Sequence, residues 1–245
     1  MKHQCKDCAS TQIYADRQLG GRLVCSRCGS FNIGWDNRSL RGNTNIIKPF
    51  KNNNINPIDY QYLVIAGALI VIWIASDLLG LINKNDWMSW SGMMLYQPHR
   101  FFTNALVHMD GRHLLTNLFG VVIARAIFMQ LGMRSKYLFA VLVALLIPLS
   151  SMLQWFWEAI ISSQLNAASL GFSGVVYGID AFLLLAAMKG KDKFIKIPIN
   201  LTRNYQAQQT MIVLTILGQV WNFIGGGSVV GHQSGLLAGL LLFLF

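Results

Sequence analysis

Charged side chains are scarce in this chain, since only 12% of its 245 residues are Asp, Glu, Lys or Arg. Soluble globular proteins average about 25% charged residues. The scarcity excludes an ordinary soluble domain and, with 53% apolar residues, indicates a membrane protein. Acidic residues are the rarer kind, ten against twenty basic ones, yet the basic residues form no continuous helical stripe. This distribution argues against nucleic-acid binding by the apolar part.

Cysteine is absent after residue 28. Cys5 and Cys8 form one Cys-x2-Cys pair, Cys25 and Cys28 form another, and sixteen residues separate the pairs. Each pair can bind one face of a tetrahedral ion, and the intervening length suits a β-hairpin. The pattern therefore predicts a zinc ribbon over residues 1–35 with a closed, structural Zn²⁺ site. A disulfide-linked hairpin and a redox pair are the alternatives.

The N-terminus is polar, so we expect no cleavable signal peptide and place the ribbon on the reducing, cytosolic side. Residues 36–59 are rich in Asn, Arg, Lys and Gly without apolar periodicity, which predicts a flexible basic linker. Three roles stay open for the ribbon: recruiting a cytosolic partner, binding nucleic acid, or stabilising the N-terminus.

Six apolar runs follow within residues 60–245, each near the ~20 residues that a bilayer-spanning helix needs. The runs lie at about 62–82, 113–132, 137–158, 171–188, 208–224 and 231–245. The last two are short. We expect an all-α polytopic membrane protein, a six-transmembrane-helix bundle preceded by the small β zinc ribbon.

The basic residues predict the orientation of this bundle. When loops are assigned alternately to the two sides, seventeen Lys and Arg residues fall on the N-terminal side and three on the other. This positive-inside bias places the N-terminus in the cytoplasm. The second, fourth and sixth runs then all begin at the outer face of the membrane.

Chemically active side chains lie at the start of each of these three runs. Ser173, within Gly171-Phe172-Ser173-Gly174, opens the fourth run, His232 opens the sixth, and His113 and Asn117 open the second. A hydroxyl beside an imidazole can act as a nucleophile. In the plainer alternative Ser173 bonds back to a helix carbonyl, and His113 and Asn117 bond to each other or to the first loop.

Small residues predict that the fourth and sixth helices touch. Gly174 and Gly178 share one stripe of the fourth helix, and Gly235 and Gly239 share a stripe with His232 on the sixth. Helices with such stripes approach at backbone distance in membranes. That contact would bring His232 within hydrogen-bond reach of Ser173.

Three segments of the chain resemble the signature motifs of the rhomboid intramembrane serine proteases. They are Gly171-Phe172-Ser173-Gly174, His113-Leu114-Leu115-Thr116-Asn117 and Gly231-His232-Gln233-Ser234-Gly235. The resemblance covers residues from about 60 onward. It implies a six-helix core with Ser173 as nucleophile and His232 as general base, open to the extracytoplasmic side through a water-filled cavity. No carboxylate is placed to orient His232, which fits a dyad without a catalytic cofactor.

Further roles follow from the same resemblance. The oxyanion donors would be the Ser173 backbone N–H and the side chains of His113 and Asn117. Tyr177 resembles the tyrosine that packs on the histidine ring. Supporting positions are the glycines around the two active residues: Gly171, Gly174, Gly235 and Gly239.

Pro98-His99-Arg100-Phe101-Phe102 resembles the Trp-Arg loop element of the family, with His99 in the tryptophan position. An acid late in the second helix holds that arginine in the family. Here the second helix carries no acid, and Arg125 stands in that part of it. Because charges deep in a membrane helix must be paired or solvated, we expect Arg125 to pair with Asp180.

The resemblance implies cleavage of single-pass or polytopic membrane proteins within the lipid bilayer. Such a protein would lie in a membrane, and the compact chain suggests a bacterial inner membrane. Two other functions stay open: an inactive relative that binds membrane helices, and a small transporter. A transporter would carry polar groups near the midplane, whereas the polar groups here gather at the outer helix ends.

Overall fold

The structure is a computed structural model that describes residues 3–5, 7, 12–16, 22–28, 33–35, 59–224 and 228–245. The chain divides into two compact units, Met1–Asn54 and Ile55–Phe245, each of which is described by itself. Residues 36–58, which carry nearly all of the predicted linker, lie outside the described residues, as does Cys8.

The first unit contains two small antiparallel sheets. Strands β1 (His3–Cys5) and β4 (Ile33–Trp35) form one, and β2 (Ile13–Asp16) and β3 (Arg22–Cys25) form the other. In the second sheet Ile13 pairs with Cys25. The β2–β3 hairpin therefore spans the interval between the two cysteine pairs.

The second unit is mainly helical. Its long helices are α1 (Tyr60–Trp73), α4 (Gly111–Gln130), α5 (Leu138–Trp155), α6 (Ser173–Lys189), α7 (Tyr205–Ile224) and α8 (Val229–Phe243). Two of them continue as π-helical turns, α1 through Ile74–Leu78 and α5 through Phe156–Ile161. Each long helix overlaps one of the six apolar runs. Among the described residues, three helical segments are long and apolar enough to cross a membrane: Tyr60–Leu78, Gly111–Gln130 and Leu138–Ile161.

Short elements connect the long helices. The segment between α1 and α4 contains α2 (Lys84–Trp87), β5 (Ser89–Trp90) and α3 (Arg100–Thr103). Strand β5 pairs with β6 (Ala168–Ser169), and β7 (Lys191–Phe194) pairs with β8 (Ile197–Leu201) as an antiparallel hairpin between α6 and α7. The fold class is thus mostly helical with small strands inside the second unit as well, which the apolar pattern did not predict.

Helix α6 lies at the centre of the second unit and packs against α4, α5, α7 and α8. Phe182 in its middle is fully buried and contacts the rings of Phe128, Phe194 and Phe243. The helix ends at Lys189, where Gly190 takes a positive φ of 70°. Glycine is favoured there because a side chain strains that backbone conformation.

Helices α6 and α8 meet through glycine, as the spacing of the two stripes predicts. A methyl group placed on Gly235 would overlap the backbone of Gly174, and one on Gly239 would overlap that of Gly178. Gly178 in turn faces the Gly235 carbonyl oxygen, 3.0 Å from where its own Cβ would be. The two backbones are therefore in direct contact along two turns.

Arg125 does not pair with Asp180, so that prediction is wrong. The Arg125 guanidinium instead binds the Asp59 carboxylate through two hydrogen bonds of 2.7 and 3.0 Å. Asp59 precedes α1, and α1 packs against α4, so the carboxylate lies beside the later turns of α4. Within the described part of the chain, Asp180 makes no ion pair.

We predict that Gly239→Ala destabilises the protein, because its methyl group would force α6 and α8 apart. Overpacking of this kind costs about 1–3 kcal/mol. Thermal unfolding in detergent would measure the loss. Gly67→Ala on α1 is the control, since nothing lies within 4 Å of a methyl group there. Equal stability of the two variants would contradict the glycine contact.

Candidate functional site

Ser173 and His232 meet where α6 and α8 begin. The Nε2 atom of His232 lies 2.8 Å from the Ser173 Oγ atom, a hydrogen-bonding distance. Ser228 caps α8 by accepting a hydrogen bond from the Gly231 N–H at 3.1 Å, which fixes the first turn that carries His232. The pair has the geometry of a nucleophile and its base.

The second ring nitrogen of His232 also has a partner. His232 Nδ1 is hydrogen-bonded to Asn222 Oδ1 on α7. The Tyr177 ring stacks on the imidazole with ring centroids 4.4 Å apart and planes 13° from parallel. The Tyr177 hydroxyl lies 2.7 Å from the Gly218 carbonyl oxygen and 3.0 Å from Asn222 Oδ1. The imidazole, which α8 carries, is therefore held by residues of two other helices, α6 and α7.

Asn222 is a site residue that the sequence patterns did not predict. It lies near the end of the fifth apolar run, ten residues before His232. A polar amide in that position is a functional signal, because polar groups in membrane helices are costly unless they are bonded. The side chain is 2% exposed.

The first turns of α4 carry the predicted oxyanion residues. Asp110 caps this helix by accepting the His113 N–H at 2.8 Å. The His113 ring packs on Gly171, whose φ of 117° and lack of a side chain let the ring approach. Asn117 is 3% exposed, and its Nδ2 atom has no hydrogen-bond partner among the described residues. A buried donor without a partner can serve a charge that develops during a reaction.

His108 supports this region from the loop before α4. Its ring is fully buried and lies edge-on to the His113 ring at 5.3 Å. The Phe172 N–H points to His108 Nε2 at 3.5 Å, a long contact. Burial, and after it the neighbouring His113, lower the pKa of His108 to about 4. The neutral ring therefore packs beneath the turn that precedes Ser173.

A small cavity lies beside the Ser173–His232 pair. Its volume of about 30 Å³ has room for one or two water molecules. Polar side chains from several elements line it: Asn104, Ser150, Ser151, Gln154, Ser169 and Ser228. Ser173 and His232 thus line a polar space that can hold water.

The segment before α4 is anchored without an acid on α4. Arg100, 5% exposed, donates hydrogen bonds of 2.6 Å to the carbonyl oxygens of Asn85 and Met88 and one of 2.5 Å to Gln97 Oε1. Backbone and amide oxygens thus bind Arg100 in place of the carboxylate that the family pattern predicts.

A second anchor ties the same segment to the end of α5. The carboxylate of Glu158 accepts hydrogen bonds from Ser91 Oγ and from Gln154 Nε2, the latter at 2.8 Å. Gln154 also donates to Ser169 Oγ at 2.7 Å. Glu158 is 5% exposed, and the sequence signal that could have found it is a carboxyl group at the end of an apolar run.

Comparison with known families assigns the helical unit to a family. The model of the Rhomboid domain matches residues 96–245. The chain belongs to the rhomboid family. This is a family of intramembrane proteases, so the chain is an integral membrane protein, and its membership suggests a serine protease. A search of curated proteins finds no match.

The rhomboid match includes α4, α6 and α8 but not the N-terminal cysteines. The thiol groups of Cys5, Cys25 and Cys28 lie within 4.8 Å of one another. The Cys5 and Cys28 sulfur atoms are 3.6 Å apart, far beyond the ~2.05 Å of a disulfide. Sulfur ligands about 2.3 Å from a tetrahedral Zn²⁺ lie at a similar mutual distance. The three thiols therefore fit a metal site.

In such a site the three described cysteines would hold the ion and Cys8 would be the fourth ligand. A four-thiolate zinc site supplies folding energy and no open coordination position for catalysis. Zinc binding by the first unit stays a prediction.

We predict that the purified protein carries about one Zn²⁺ per chain and that Cys25→Ser removes it, because the site then loses a thiolate ligand. Elemental mass spectrometry on the full chain in detergent would measure the metal. Ser173→Ala is the matched control, since it changes a residue of the other unit and leaves all four cysteines. Full metal content in Cys25→Ser would contradict the site.

Proposed function

We propose that this chain is an intramembrane serine endopeptidase that cleaves membrane-anchored proteins with a Ser173–His232 dyad. The observation that carries the proposal is the 2.8 Å contact between His232 Nε2 and Ser173 Oγ at the starts of two touching helices. The family membership of residues 96–245 supports the same chemistry.

In the acylation step His232 Nε2 takes the proton of Ser173 Oγ as the oxygen attacks the scissile carbonyl carbon. A tetrahedral intermediate forms with negative charge on the carbonyl oxygen. His232 then gives the proton to the leaving amine, the C–N bond breaks, and an acyl ester remains on Ser173. The cavity beside the dyad is the source of the water that hydrolyses this ester.

The oxyanion donors are the Ser173 backbone N–H and the side chains of His113 and Asn117. The Ser173 N–H lies at the start of α6, where helix N–H groups have no intrahelical partner. Two observations support this assignment. Asn117 Nδ2 has no hydrogen-bond partner among the described residues, and His113 contacts Gly171, two residues before Ser173.

The substrates are single-pass or polytopic membrane proteins. A substrate helix must partly unwind to present its peptide bond, so small and helix-weakening residues near the cut are expected. The excess of basic residues on the N-terminal side favours a cytoplasmic N-terminus and an active site that opens to the extracytoplasmic face.

We predict that Ser173→Ala and His232→Ala each abolish cleavage of a model transmembrane substrate in liposomes, because each removes one member of the dyad. Ser162→Ala is the control, since this serine is exposed and has no role in the dyad. A fluorophosphonate should label Ser173 of the wild-type protein. An inactive relative that only binds membrane helices would not be labelled. Undiminished cleavage by either dyad variant would overturn the protease proposal.

We predict that Asn117→Ala lowers kcat by roughly 100- to 1,000-fold, the loss seen when one oxyanion donor is removed from a protease. KM should change little, because the donor acts in the transition state. Steady-state cleavage in detergent would separate the two constants. Thr116→Ala, its exposed neighbour on α4, should behave like the wild type. An unchanged kcat for Asn117→Ala would remove this residue from the oxyanion site.

A further inference from the structure

His232 Nδ1 has a hydrogen-bond partner that a serine–histidine dyad does not require. Nε2 faces Ser173, and Nδ1 faces the amide oxygen of Asn222 on a third helix. A carbonyl oxygen only accepts hydrogen bonds, so Nδ1 carries the proton in this arrangement and Nε2 keeps its lone pair. That tautomer is the one in which Nε2 can take a proton from Ser173.

We propose that Asn222 is a positioning residue, which holds the His232 ring in the tautomer and orientation that the Ser173 reaction needs. The inference rests on the proposed protease function. Asn222 does not touch Ser173 or a reacting atom and acts through His232. The site is then a serine–histidine pair oriented by a neutral amide in place of the carboxylate of a triad.

Two constraints together fix the imidazole. Stacking on Tyr177 sets the plane of the ring, with planes 13° from parallel. The bond to Asn222 sets the rotation of the ring within that plane, because it aims Nδ1 at one acceptor. Without it the ring could present a protonated Nε2 to Ser173, and a protonated nitrogen cannot act as a base.

Asn222 is itself held in place. The Tyr177 hydroxyl donates to the Gly218 carbonyl oxygen at 2.7 Å, one turn before Asn222 on α7. Gly218 allows this close approach, because a Cβ atom there would lie 3.0 Å from the Tyr177 oxygen. Tyr177, which also stacks on His232, thus fixes the position of α7 and with it the position of the Asn222 amide.

A packing role alone does not explain this residue. The amide is buried in an apolar helix at a cost that a leucine would avoid. Its oxygen is directed at the ring nitrogen of the base, while Nδ2 has no hydrogen-bond partner within the described residues. Both hydrogen-bond partners of this oxygen, His232 and the Tyr177 hydroxyl, therefore belong to the proposed catalytic imidazole and to the ring that stacks on it.

The decisive comparison is between Asn222→Asp, which keeps an acceptor for Nδ1, and Asn222→Leu, which has similar volume and no acceptor. We expect Asn222→Leu to lower kcat by at least about 100-fold, since an asparagine in place of a triad aspartate costs about 10⁴-fold when it favours the wrong tautomer. KM should stay within about twofold. Asn222→Asp should recover at least a tenth of wild-type kcat.

Cleavage kinetics on the full chain in detergent and the rate of fluorophosphonate labelling of Ser173 are the readouts. Labelling needs an activated serine but no substrate helix, so it should fall with kcat in Asn222→Leu. Gln219→Ala is the matched control, because this amide lies one turn earlier on α7 and contacts Gln233 instead of the dyad. It should keep wild-type kcat.

Thermal unfolding first shows that both variants are folded. The test is then the ratio of kcat, and of the labelling rate, between Asn222→Asp and Asn222→Leu. Equal kcat and labelling rates for these two folded variants would overturn the positioning role. That result is distinct from failure of the protease proposal, in which Ser173→Ala would cleave as well as the wild type. If Ser173→Ala is inactive and Asn222→Leu is fully active, the protease proposal stands and the positioning proposal falls.

Discussion

Backbone contact between α6 and α8 sets the position of the groups that meet at Ser173. Side chains on two membrane helices usually keep the helix axes about 8–10 Å apart. Here glycines on both helices face each other's backbone, so the helices come closer than side chains would allow. Ser173 and His232 lie at the N-terminal end of this contact, Ser173 one residue before Gly174 and His232 three residues before Gly235. A short serine side chain can reach an imidazole only because the two backbones touch.

The other helices bring further side chains to the Ser173–His232 pair. Helix α4 brings His113 against the turn before Ser173, and α7 brings Asn222 to the far side of the imidazole. Helix α5 contributes Gln154 to the cavity and, through Glu158, anchors the segment that precedes α4. Polar residues from different helices thus converge at one level, where each satisfies a neighbour that would be costly to bury alone.

Sequence patterns predict the parts of this arrangement that depend on one helix at a time. The apolar runs locate the long helices, and glycines four residues apart predict the α6–α8 contact. Contacts that depend on how two elements are placed relative to each other cannot be predicted from such patterns. Asn222 reaches His232 because Tyr177 fixes α7 at Gly218, and Arg125 finds Asp59 because α1 packs beside α4. Neither placement is encoded in a local spacing.

The β7–β8 hairpin was not predicted from the sequence, for a different reason. Its turn residues, Ile195 and Lys196, both have positive φ values, 46° and 66°. Such turns normally carry Asn or Gly, and a β-branched residue there is disfavoured. The buried side chains of Phe194 and Ile199 offset the unfavourable turn by packing into the core. Tertiary packing therefore decides this element against its local sequence.

The size of the cavity limits what the described conformation can do. A space of about 30 Å³ admits water to the serine and the imidazole but no polypeptide chain. The space beside Ser173 therefore has the size of water molecules, and a substrate strand would need more room than this before its carbonyl could reach the hydroxyl. Turnover of such a substrate would then include the time needed to make that room.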